Sequence, residues 1–102
     1  MLYQIAVITS LLYTLFYASI PTGLTMIPET GTSARISWNA VPLASSYQVQ
    51  WFSGTEWKDN PYYNTATSFI TEGLVGNSYT FRVRAVNSAG VSTWCEVTYS
   101  KP

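Results

Sequence analysis

Few residues in this chain are equipped for chemistry. The carboxylates are Glu29, Glu56, Asp59, Glu72 and Glu96, the single thiol is Cys95, and there is no histidine. Two carboxylates work as acid and base only when they face each other across a cleft. These are scattered along the sequence, mostly beside turn-forming residues, where a solvated surface charge is the expected state. Without an imidazole, Cys95 has no base to activate it, and the commonest metal ligand is missing. No GxSxG, HExxH, P-loop or CxxC motif occurs. The sequence therefore predicts a non-catalytic protein with no cofactor and no metal site.

Recognition is a better prospect than reaction. Arg82 and Arg84 alternate with apolar neighbours, and Trp94 follows ten residues on in Ser92-Thr93-Trp94-Cys95. Trp57, Tyr62 and Tyr63 lie in a turn-rich stretch from Gly54 to Thr65. Exposed aromatic residues offer large contact area at low entropic cost. These three either form a binding patch or close the bottom of the molecule. Formal net charge is zero and charged residues make up only 10% of the chain. A nucleic-acid partner is not expected, because phosphates demand a basic stripe.

Positioning these residues falls to two unlike segments. Met1 to Pro28 carries no side chain charged at neutral pH, and every Asp, Glu, Lys and Arg lies from Glu29 onward. Residues 1–20, MLYQIAVITSLLYTLFYASI, are predominantly apolar. As a helix they would span ~30 Å, the thickness of a hydrocarbon core. A helical membrane anchor, an arm packing between copies of the chain and a cleaved secretory signal all fit. The β-branched and aromatic content also suits an extended donor strand. Pro21-Thr22-Gly23 is expected to form a short hinge.

Beyond it the pattern changes. Ile36 and Trp38, then Tyr47, Val49 and Trp51, then Tyr79, Phe81, Val83 and Ala85, each alternate with polar residues. Turn-formers separate these runs. Period-two alternation at this spacing predicts half-buried strands in a two-sheet sandwich. The lone cysteine allows no internal disulfide, so stability must come from the core formed by those residues with Leu74.

The residues that carry a family likeness are Pro21-x-x-Leu24-Thr25, Ser37-Trp38, Val41-Pro42, Tyr47-x-Val49-x-Trp51, and Leu74 followed by Tyr79-x-Phe81-x-Val83-x-Ala85-Val86-Asn87-x-x-Gly90-x-Ser92. The chain from Pro21 to about Ser100 resembles a fibronectin type III domain. That resemblance implies an all-β, seven-stranded antiparallel immunoglobulin-like sandwich over residues 21–102. It also implies a corner in which the Tyr79 hydroxyl returns to the backbone over Leu74. Arg82, Arg84 and Trp94 are similar to the arginine–tryptophan ladder of cytokine-receptor members; two separate exposed arginines and a half-buried tryptophan are the plainer alternative.

Two functions follow as expectations. One is a surface-displayed adhesion, interaction or spacer module. It would be extracellular, tethered to a membrane through residues 1–20, and would meet a protein or a glycan. The other is a structural subunit of a pilus-like filament or a virion, with residues 1–20 packing between copies. The family's frequent attachment to carbohydrate-active enzymes adds a third, an accessory piece without activity of its own.

Overall fold

The computed structural model describes residues 17–29, 31–60, 65–71 and 78–100. The alternating runs become strands, all paired antiparallel. They are β1 (Thr25–Pro28), β2 (Ala34–Ser37), β3 (Ser46–Phe52), β4 (Trp57–Asp59), β5 (Ser68–Thr71), β6 (Ser78–Asn87), β7 (Gly90–Val91) and β8 (Cys95–Ser100). One sheet has the order β1-β2-β5; the other runs β4-β3-β6, with β7 and β8 both pairing with β6. Among the described residues there is no helix.

The strand number corrects the expected seven. Between the pairs Val86↔Val91 and Val83↔Cys95, three steps along β6 face four along the opposite strand. That extra residue is a β-bulge, which splits what would be one edge strand into β7 and β8. Ser92 sits in the gap. Its Oγ accepts from the Ala85 N–H at 2.9 Å, and its own N–H reaches the Ala85 carbonyl at 2.9 Å. A side chain thus stands in where ladder geometry is broken.

The inner faces meet in a core of Ala34, Ile36, Trp38, Val41, Tyr47, Val49, Phe81, Val83 and Ala85, all buried. Rings tie the two sheets together. Trp38 meets Tyr47 edge-on at 5.4 Å and Phe69 at 6.3 Å, and Phe69 meets Phe81 at 6.5 Å. Such pairs add ~0.5–1.5 kcal/mol each beyond the area they bury. The Tyr47 hydroxyl accepts a buried hydrogen bond from the Val41 N–H at 2.9 Å. That bond pins the β2–β3 connection to the core. Burial carries a cost, because among the described residues Trp38 Nε1 has no hydrogen-bond partner.

Trp51 was expected in this core and is 39% exposed instead. It has the inward parity of Tyr47 and Val49, but β3 has seven residues and the facing strands four each. At ~3.3 Å per residue, β3 overhangs its cover, and Trp51 stands on the overhang with Lys58 Nζ 6.0 Å from its ring centroid. Leu74 lies outside the described residues, as do Tyr62, Tyr63 and most of the apolar segment 1–20.

The described end of that segment is not a free joint. Ala18 is buried and Pro21 is among the most fully buried side chains of the domain. Tyr17 lies over Gly90, so close that a Cβ there would sit 2.9 Å from the ring. Gly90 also has φ +141, a conformation that side chains rarely adopt.

Candidate interaction face

Outward-facing residues of the larger sheet assemble into one structure. Arg82 and Arg84, on β6, pair in register with Gln50 and Gln48 on β3, and Gln50 pairs with Asp59 on β4. All share the outer face because pleating sends alternate side chains the same way. Across the β3–β4 hairpin, Phe52 pairs with Trp57. The turn between them is held by the Ser53 N–H donating to the Glu56 carbonyl at 2.9 Å.

Trp94 reaches this face because of the bulge. If the β7 register simply continued, Trp94 would fall opposite Val83, facing the core. The extra residue shifts β8 so that Cys95 takes that place. Trp94 then emerges beside the arginines.

The guanidinium carbon of Arg82 lies 4.0 Å from the Trp57 ring centroid and 4.2 Å from that of Trp94; Arg84 lies 4.3 Å from Trp94. Two guanidiniums that close cannot occupy one ring face without clashing, so they take opposite faces of Trp94. The result is an alternating stack, Trp57–Arg82–Trp94–Arg84. Phe52 leans on its outer end, 5.2 Å from Trp57 at 59°. Each contact is a cation–π interaction worth ~0.5–1 kcal/mol when exposed.

Hydrogen bonds fix the guanidiniums from the side. Arg82 donates through Nε (2.8 Å) and Nη2 to Gln50 Oε1, and Arg84 through Nε to Gln48 Oε1 at 2.7 Å. Both glutamine amides then donate to Asp59 Oδ1, at 2.9 and 2.8 Å. This chain orients every amide: oxygen toward arginine, nitrogen toward aspartate. At the far end of β6, Thr80 and Thr98 pair through their hydroxyls at 3.0 Å.

The sequence-predicted trio Arg82, Arg84 and Trp94 is therefore brought together, and Trp57 joins it. The sequence puts Trp57 with Tyr62 and Tyr63 in a turn-rich stretch, yet Trp57 sits on a strand. No motif marks Gln48 and Gln50, and the sequence marks Asp59 only as a solvated carboxylate, whereas its Oδ1 accepts from both glutamines. The signal for them was available in the hairpin, since a turn over Ser53–Glu56 places Asp59 opposite Gln50. Tyr79, half-buried on β6, has its hydroxyl oxygen out of reach of water; desolvation pushes that hydroxyl above the ordinary tyrosine value. Among the described residues no cluster of His, Cys, Asp and Glu could hold a metal ion.

The family profile of the fibronectin type III domain matches residues 19–101. The chain belongs to the fibronectin type III family. Solved members of that family share its architecture. A Fn3-like protein from Clostridium thermocellum superposes with a TM-score of 0.68 at 30% identity, covering 80% of this chain and 91% of that one. In sequence, this fibronectin type III domain is 42% identical over 76 residues to a poly(3-hydroxybutyrate) depolymerase of Ralstonia pickettii, covering 72% of the chain and 14% of the depolymerase. It is 38% identical over 65 residues to the tip attachment protein J of Escherichia phage SECphi27, covering 61% of the chain and 5% of that protein. The chain thus spans a small fraction of the curated relatives it matches. Such domains are commonly interaction or spacer modules and generally non-catalytic. This is in keeping with carboxylates that the fold spreads over its surface, Glu29 on Arg35 at 3.1 Å and Glu56 near Lys58 at 3.8 Å.

Proposed function

We propose that this fibronectin type III domain is a non-catalytic, surface-displayed interaction module whose working face is the outer side of the β4-β3-β6-β8 sheet. The stack Trp57–Arg82–Trp94–Arg84 carries the reading. Its side chains are held in single geometries by stacking and by the glutamine–aspartate chain, so a partner meets a face already ordered. Its relatives occur as small parts of much larger proteins, a depolymerase and a phage tip attachment protein, as expected of a module that serves other domains. An extracellular setting, with residues 1–20 tethering the domain to a membrane, belongs to the same reading. Among the described residues no helix is long and apolar enough to cross a membrane.

The alternative is a filament or virion subunit in which residues 1–20 pack between copies. Their uncharged, β-branched and aromatic composition favours it. Electron microscopy of native material, with the mature N-terminus read by mass spectrometry, separates the two. Detergent-soluble single particles with residues 1–20 retained support the tethered module. Ordered polymers that persist without lipid would overturn it in favour of the subunit.

A further inference from the structure

The stack ends differently at its two sides. At one end Phe52 leans on Trp57. At the other, Arg84 has Trp94 on one face and no second ring among the described residues. Its Nε is committed to Gln48, but among the described residues neither Nη has an acceptor and no carboxylate lies within ion-pairing distance. Arg82 is more fully used, with Nε and Nη2 both on Gln50. Arg84 therefore presents a fork of N–H donors held in place from the side and from one face. Beside it in the strands, Val86 pairs with Ser46 and with Val91, which is 42% exposed.

From this geometry we infer that Arg84 is the docking point for a carboxylate of an acidic peptide segment of a partner protein. A guanidinium fork matches a carboxylate through two parallel hydrogen bonds. Asp59 and Glu96, the latter in register with Arg82, share this face, but among the described residues neither forms an ion pair with Arg84, and Asp59 reaches it only through the neutral amide of Gln48. The ordering of Arg84 in advance removes most of the entropy that a free arginine loses on binding. A sugar fits less well. Carbohydrates dock on open aromatic faces, and both faces of Trp94 and one of Trp57 are already covered by guanidiniums. The exposed Val91 gives an apolar foothold that a peptide side chain can use.

The inference rests on the interaction-module reading and names the chemistry of its partner. The test uses the whole chain and a fluorescein-labelled hexaglutamate peptide, followed by fluorescence anisotropy at low salt. Binding should weaken ~10-fold or more in Arg84→Gln, the loss of about one charge-assisted contact. It should also weaken in Arg84→Lys, which keeps the charge and loses the fork. Arg35→Gln, on the other sheet and already paired with Glu29, should bind as the unchanged protein does. Equal binding by Arg84→Gln, or equal loss in Arg35→Gln, overturns the inference. So does binding of oligogalacturonate with none of hexaglutamate, which would point to a glycan. If neither probe binds, the carboxylate site fails, while the microscopy result still decides between module and subunit. Thermal melts of Arg84→Gln and Arg84→Lys within a few degrees of the parent show that lost binding is not lost folding.

Discussion

A single hydroxyl shows how closely the core and its connections depend on each other. Tyr47 Oη takes the Val41 N–H inside the protein. Tyr47→Phe leaves that donor buried and unpaired, which costs ~1–3 kcal/mol; urea denaturation of the variant against the parent measures it. In the stack the relevant quantity is coupling, not the cost of one deletion. Arg82 touches two rings and Gln50, so Arg82→Ala removes several contacts at once. A double-mutant cycle with Trp94→Ala isolates the pair. We expect a coupling of ~0.5–1 kcal/mol, and a coupling of zero means the rings and guanidiniums merely sit side by side.

At the scale of elements, the bulge between β7 and β8 decides what the face contains. Deleting Thr93 removes the extra residue, so the register of Val86↔Val91 runs on unbroken with Cys95 still opposite Val83 and Trp94 still on the outer face. A one-residue slip would instead turn every side chain of β8 over. Tryptophan emission in the deletion variant should therefore match the parent, with the melting temperature within ~5 °C of it. A shifted emission spectrum would show that β8 had slipped and Trp94 had turned inward. This bulge also explains what the sequence could and could not disclose. Alternation alone located β2, β3 and β6 and placed Ile36, Trp38, Tyr47, Val49, Phe81 and Val83 on inner faces. It says nothing of relative strand length, which is why Trp51 is found on an overhang. Nor does it reveal a register shift set by one serine hydroxyl, so the eighth strand went unseen. Arg82 and Arg84 were legible because both lie on one long strand. Trp57 was legible as a candidate binding aromatic but not as a neighbour of Arg82, which is 25 residues away in the sequence and linked to it through a hairpin.

For the whole molecule, the contact between Tyr17 and Gly90 determines how the domain is mounted. Gly90→Ala places a methyl group 2.9 Å from the ring at a φ of +141 and should cost well over 1 kcal/mol. Tyr17→Ala in the same chain should relieve the clash and leave only the backbone strain. Denaturation of the single and double variants, with hydrogen exchange across residues 17–21, tests this; additive costs would mean the ring and the turn do not meet. With Pro21 and Ala18 buried, the domain cannot swivel freely at this joint. The polypeptide enters beside the β6–β7 turn, which is itself joined to the β2–β3 connection by Asn87 Nδ2 donating to the Leu43 carbonyl at 3.2 Å. A pull on the chain at Tyr17 would therefore load the Gly90 turn first and reach the arginine stack only through β6.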